Sequence, residues 1–259
     1  MGNYLHRTEK ANDDILWNIP AKKQGHINII GGNAQSFRTP VKIAEYVTKE
    51  YPLEEVGLVL PDALTGKLPN LPNIDFLGST ESGSFSSSEE LQTAINAPDV
   101  SLVVGDLSKN AITGKALAGA CLYSAKPTVI TRDSVDLIAD NCSETLLMND
   151  NLIFFASMPQ IIKLFHAVYY PKMITLTQSL LQVAEALHKF TLSYPTKIIT
   201  LHNGQIILAE NGNINVLSLE NTHLTPIAIW SGEVAARIAV LNLYNPRKFL
   251  EASGSAFLA

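Results

Sequence analysis

Cysteine is almost missing from this chain. Cys121 and Cys142 are the only two in 259 residues. So few in a chain of this length exclude a disulfide scaffold and predict reduced thiols in a cytoplasmic protein. No apolar run reaches the ~20 residues a spanning helix needs, so no membrane partner is expected. The first ten residues are polar and carry no apolar h-region, which predicts no secretory leader. A basic excess is missing too. Lys and Arg number 19 against 24 Asp and Glu, a formal net charge of -5, and they are not clustered. That argues against a nucleic-acid partner.

Several motifs are also missing. There is no Gly-x-x-x-x-Gly-Lys-Ser/Thr phosphate loop and no Gly-x-Gly-x-x-Gly fingerprint. The six histidines show no metal-ligand spacing with one another or with the cysteines, so no protein-held metal is expected. Ser36, Ser134 and Ser231 lack the flanking glycines of a nucleophile elbow, which disfavours a serine hydrolase.

What is present is a large apolar complement, 46% of residues against 17% charged. That supports a substantial core and excludes wholesale disorder. Residues 1–24 read as a polar, irregular N-terminal arm lying on the domain. From there apolar strand-like runs alternate with helical spacings. Strands are expected at 25–32, 56–60, 74–77, 101–104, 128–130, 152–155 and 197–201. Helices are expected at 40–51, 89–96, 112–125, 133–139, 159–169, 174–190, 233–243 and within 249–258. Residues 80–88 read as a mobile serine-rich surface loop. Asn211-Gly212 between two β-rich runs is a strong hairpin signal, expected to add an antiparallel edge. The alternation predicts an α/β fold: a mainly parallel sheet with helices on both faces, in a single domain over 25–259.

In such a sheet ligands sit beyond the C-terminal strand ends. Gly31-Gly32-Asn33, Gly105-Asp106, Thr131-Arg132-Asp133 and His202-Asn203-Gly204 all fall there. So does Trp230-Ser231-Gly232-Glu233, which opens an alanine- and leucine-rich helix whose only charge past Glu233 is Arg237. Gly232 lets backbone amides approach an anion at a helix start, and Glu233 adds a carboxylate beside it. That pairing suits activation of a hydroxyl against a phosphoryl group, although Ser-Gly-Glu also serves as an ordinary cap. Asp133 reads equally as a site residue or a helix N-cap.

Order and spacing together resemble the ribokinase-like superfamily. Within it the chain most resembles the ADP-dependent NAD(P)H-hydrate dehydratases, from Gly25 onward. Residues 31–40, Gly-Gly-Asn-Ala-Gln-Ser-Phe-Arg-Thr-Pro, are similar to that family's Gly-Gly-Ser followed by Tyr-Thr-Gly-Ala-Pro. Residues 103–110 resemble its Gly-Pro-Gly-Leu-Gly stretch, about one residue shorter. Residues 129–135 resemble its Asp-Ala-Asp-Ala-Leu segment, with Asp133 on the second acid and Thr131 on the first. Residues 198–204 stand where it has a strand followed by Lys-Gly, and 230–233 where it has Gly-Ser-Gly-Asp. The resemblance implies a ribokinase-like three-layer fold and an enzyme that repairs hydrated NADH or NADPH. It also implies ADP or ATP as cofactor, with Mg2+ accompanying the nucleotide, and a homo-oligomer.

Carried over residue by residue, the resemblance makes Glu233 the catalytic base. Trp230, Ser231, Gly232, His202 and Asn203 fall on the nucleotide and phosphate side. Asn33, Arg38, Thr39, Gly105, Asp106 and Asp133 fall on the substrate side. Glu233 stands where the family keeps Asp, and Trp230 where it keeps Gly. Two further readings follow from those departures: a non-catalytic homologue that binds nucleotide or a protein partner, and a small-molecule kinase of the same superfamily.

Overall fold

The computed structural model describes residues 4–68 and 73–258. In chain order, the strands and α-helices among them are β1 (Leu5–Arg7), α1 (Asp13–Trp17), β2 (His26–Gly31), α2 (Arg38–Glu50), β3 (Glu55–Pro61), β4 (Ile74–Leu77), α3 (Ser88–Asn96), β5 (Val100–Gly105), α4 (Ala111–Leu122), β6 (Thr128–Thr131), α5 (Asp133–Ala139) and α6 (Glu144–Leu147). The second half continues with β7 (Leu152–Phe155), α7 (Met158–Ala167), α8 (Leu180–Ser193), β8 (Lys197–His202), β9 (Gln205–Glu210), β10 (Asn213–Ser218), α9 (Pro226–Ile229), α10 (Glu233–Tyr244) and α11 (Phe249–Leu258).

All ten strands join one sheet in the order β1-β10-β9-β8-β7-β6-β5-β2-β3-β4. Only β9 runs against its neighbours; the other pairs are parallel. This is the α/β sheet the alternation predicts. The strand β5 is Val-Ser-Leu-Val-Val-Gly, buried at every position, as a parallel strand covered on both faces must be. Side chains alternate between the faces. Ile30, Val103, Ile130, Phe154 and Ile198 pack into one core cluster with residues of α3, α4, α5, α7 and α8. Ile29, Leu102, Val129, Ile153 and Ile199 pack into a second with α1, α2, α10 and α11. Strand order reverses beside β2: it leads on to β3 and β4 on one side, while β5 returns to the other. A crevice at that switch point is where such sheets bind ligands.

The helix α10 is apolar on nearly every side because it lies between the sheet, α2 and α11. Arg237 is accommodated by hydrogen bonds to the Ala256 carbonyl and the Tyr46 hydroxyl.

Several details differ from the sequence expectation. The arm is not irregular: β1 pairs in parallel with β10, and α1 packs against α11. The helix expected from residue 174 begins at Leu180, because Ser179 and Gln182 form a reciprocal capping box that fixes the start there. Ile174 is buried in the core without belonging to that helix. The 80–88 stretch reaches the surface at Glu81 and Ser82 but is docked at 83–85. Phe85 is 1% exposed and Ser84 fully buried. The Gly83 amide donates to Thr80 O, closing a turn, and the Ala34 amide donates to Gly83 O. One apolar residue among the serines is enough to dock the segment. Pro69 and Pro72, read as part of a loop, lie outside the described residues.

The hairpin at Asn211-Gly212 forms as expected, with φ 46° and 78°. Both central residues have the positive φ that a type I′ turn requires. Asn203-Gly204, at φ 48° and 72°, makes a second such turn between β8 and β9.

Helix α4 starts on a side-chain cap, with Asn110 Oδ1 accepting from the Thr113 amide at 2.7 Å. Asn110→Ala is expected to lower stability by about 1 kcal/mol. That is a fall in Tm of about 3 °C for a domain of this size, checked by thermal melting with unchanged far-UV CD.

Candidate functional site

Three chain segments meet at the switch point. Gly31 pairs with Gly105 across the ends of β2 and β5, where the register slips by one residue. The Gly32 amide donates to Gly105 O at 2.9 Å. The start of α10 comes down beside them, so that a Cβ on Gly232 would press on Ile43 of α2 and Val104 of β5.

Backbone amides point outward from three places here, and each makes an anion cradle. Two are filled by the protein's own carboxylates. Gly105 and Asp106 both have positive φ, 92° and 58°, and this turn presents the amides of Asp106 and Leu107 to Asp133. Its Oδ1 accepts from Asp106 N at 3.0 Å and its Oδ2 from Leu107 N at 2.8 Å. Asp133 therefore does not cap its own helix; it reaches back across β5 and β6. The second cradle is the start of α2, where Asp106 Oδ2 accepts from Thr39 N at 3.1 Å. The third is the start of α10. Its N-cap is Gly232 at φ 102°, which supplies no side-chain cap. Ser231 Oγ donates to Ala228 O at 2.8 Å and accepts from Glu233 N at 3.4 Å. The first amides of a helix have no partner within it, and among the described residues no carboxylate bonds to these; the Glu233 amide meets only the Ser231 hydroxyl.

Charge at the site centres on a residue that the motifs do not single out. Arg132 Nη2 donates to Asp106 Oδ1 at 2.9 Å, and its Nη1 donates to the carbonyl of Trp230 at 3.3 Å. The Asp106 side chain is 9% exposed and that of Arg132 is 30% exposed. The backbone of Arg132 sits at φ 58°, ψ −140°, a region that glycine almost alone adopts. Gln160 holds the peptide there, its Nε2 donating to Arg132 O at 2.7 Å. The available sequence signal was position: Arg132 directly follows a buried strand. Nothing in its spacing marks it out.

The other expected residues divide into three groups. Asn33 is 8% exposed and fully engaged: its Nδ2 donates to Asp106 O, and its Oδ1 accepts from the amides of Gln35 and Ser36. It shapes the loop that borders the crevice. Arg38 and Glu233 are exposed at the first positions of α2 and α10. His202 and Asn203 lie apart, at the end of β8, three strands from β5. There a His202 ring nitrogen bonds to Gln178 O at 2.8 Å. The indole of Trp230 stacks on Phe155 with 4.8 Å between ring centroids, so the ring is held toward β7.

Two concavities lie at this end of the sheet, one at Asn203 and one beside α5. One, of about 470 Å³, is bordered by Asn203, Ser218, Glu220 and Thr222, and the chain runs from it along 222–232 to the start of α10. The other, of about 430 Å³, is bordered by Lys109, Asn110, Asp136, Asp140 and Lys163. Both are of a size that small-molecule sites have. Burial pushes the thiols of Cys121 and Cys142 up to about 12, which leaves neither as a thiolate nucleophile.

Among the described residues, no helix is long and apolar enough to cross a membrane. No protein-family model and no curated protein sequence matches the chain. Solved structures do. A ribokinase-like superfamily protein from Enterococcus faecalis has a TM-score of 0.67 at 16% identity, over 100% of this chain and 86% of that one. The ADP/ATP-dependent NAD(P)H-hydrate dehydratase of Bacillus subtilis, co-crystallised with ATP and Mg2+, has a TM-score of 0.61 at 11% identity, over 98% of this chain and 86% of that one. Pyridoxal kinase from Bacillus subtilis, solved with ADP, has a TM-score of 0.55 at 11% identity, over 90% and 89%. The fold of this chain is therefore ribokinase-like.

Proposed function

We propose that this chain is an ADP- or ATP-dependent enzyme acting on a small molecule, and that its reaction is the dehydration of hydrated NADH or NADPH. One observation carries the reading. Of the three amide cradles at the switch point, the start of α10 alone lacks a carboxylate partner among the described residues, and it carries Glu233 at its first position. The nucleotide would lie along 222–232, with its phosphates at Gly232. Similar structures include enzymes solved with ATP or ADP, which supports nucleotide binding in this fold.

The chemistry is phosphoryl transfer followed by elimination. Glu233 takes the proton of the substrate hydroxyl as its oxygen attacks the terminal phosphoryl group. The bond to the bridging oxygen breaks, and the shortened nucleotide leaves. The new phosphate ester then departs as inorganic phosphate with loss of a ring proton, which restores the nicotinamide double bond.

The residues present do not fit a metal held by the protein. No group of three or more His, Cys, Asp or Glu among the described residues is placed to hold one, and Asp106 is paired with Arg132. A divalent ion would be held by the nucleotide's phosphates, and no step above runs through it.

A second reading is a non-catalytic nucleotide-binding protein. It is favoured by Asp133 and Asp106, which fill with protein the cradles that a substrate's anionic groups would use. The experiment mixes the protein with hydrated NADH and either ADP or ATP and follows NADH absorbance. Nucleotide-dependent recovery is expected. A nucleotide-induced thermal shift with no recovery would leave the second reading. Phosphate transfer to a vitamin or sugar acceptor instead would make the chain a kinase.

A further inference from the structure

Arg132 combines four features. Its backbone is held in a conformation that costs an L-residue on the order of 1–3 kcal/mol. Its carbonyl is fixed by Gln160. Its guanidinium spans two elements, tying the Asp106 carboxylate at the end of β5 to the Trp230 carbonyl, two residues before the glycine that opens α10. Its Nε is buried and has no hydrogen-bond partner among the described residues. An internal ion pair would need neither the strained backbone nor the reach to Trp230. A buried N–H left without a partner on a charged group is costly.

We propose that Arg132 is the residue that reads the nucleotide's phosphate. Its guanidinium lies between Asp106, at the end of β5, and Trp230, just before the α10 start, and it has donors to spare beyond those given to these two partners. An anion arriving at α10 meets two kinds of positive partner: the helix amides, and the planar fork of Arg132, which suits phosphate oxygens. The Trp230 carbonyl at 3.3 Å is the weaker of the two present partners and the one an incoming phosphate oxygen displaces. Asp106 keeps the guanidinium aimed during that exchange. Arg132 then makes affinity depend on how many phosphates the ligand carries, and the nucleoside part binds independently of it. The inference rests on the reading of the α10 start as a phosphate site.

The test uses the strain itself. Glycine adopts φ 58° without penalty, so Arg132→Gly relieves the backbone while removing the fork. Arg132→Gln keeps the length and removes the charge. Calorimetry measures the affinity of the full chain and both variants for ADP, AMP and adenosine. The parent is expected to prefer ADP to adenosine. Both variants are expected to lose about tenfold or more in ADP affinity, with adenosine within twofold of the parent. Should Arg132→Gly fail to fold, Arg132→Gln decides alone. A parent preference for ADP that survives unchanged in the variants overturns the inference and leaves the phosphate site standing. A parent with no preference for ADP over adenosine overturns both.

Discussion

Glu233→Gln is expected to bind ADP or ATP within about twofold of the parent protein and to turn over about 10³-fold more slowly. The amide has nearly the shape of the carboxylate but does not accept a proton, and a positioned general base contributes roughly 10²–10⁴ in rate. The site of the change makes the result readable. Glu233 is exposed at the first position of α10. Only a favourable interaction with the helix start is lost, about 0.3–1 kcal/mol. Stability should therefore stay close to that of the parent while turnover collapses. Glu233→Asp adds a graded control. It keeps the carboxylate but withdraws it by one methylene, a displacement of about 1 Å that costs on the order of 100-fold. The expected ranking of turnover is Glu, then Asp, then Gln, read from initial rates of NADH recovery. An amide variant as fast as the parent removes Glu233 from the mechanism.

The second large effect concerns folding. Gly105→Ala should cost about 4 kcal/mol or more and lower Tm by on the order of 10 °C. Two causes add. The residue sits at φ 92°, which an alanine adopts only under strain. Its Cβ would also overlap Asp133 Oδ1 and press on the Arg132 side chain. The carboxylate must then leave the amides of Asp106 and Leu107, each a hydrogen bond to a charged group worth about 1.5–3 kcal/mol. Chemical denaturation of the two proteins checks the value. A loss below about 1 kcal/mol would mean that the turn relaxes and that Asp133 does not hold it.

Those two residues show where the sequence is readable and where it stops. Burial on both faces makes β5 a continuous apolar run, so the strand is visible in composition alone. The glycine at its end is visible too, since a strand that stops on Gly-Asp marks a turn. The destination of Asp133 is not. Its carboxylate crosses to a neighbouring turn rather than to its own helix, and only the pairing of β5 with β6 brings the two together. Arg132 is hidden for the same reason: its partners are 26 and 98 positions away in sequence. The capping box at Ser179 and Gln182 was local and legible, but a longer apolar stripe that included Ile174 obscured it. Phe85 is the opposite case: the serine-rich composition around it reads as loop, yet this one aromatic draws the segment into the core. The Asn203-Gly204 turn carries a further lesson. Asn-Gly at the end of a strand is first a hairpin, and its place beside a concavity is a separate matter.

The pairing of β1 with β10 has a consequence for how the chain is made. Leu5 lies opposite Ile214, and Arg7 opposite Val216. During synthesis the strands β2 to β8 can meet their parallel neighbours soon after each helix between them emerges. Leu5–Arg7 has no partner in the sheet until β10 has left the ribosome. The strand β1 is thus made before β2 to β9 yet joins the sheet after them. Until it does, the outer edge of β10 offers open hydrogen-bonding groups to any other extended chain nearby. Closing so long a loop adds little to the entropic cost, because that cost grows only with the logarithm of length. The delay is one of order rather than of energy, and it makes the amino-terminal strand the clasp that completes the molecule.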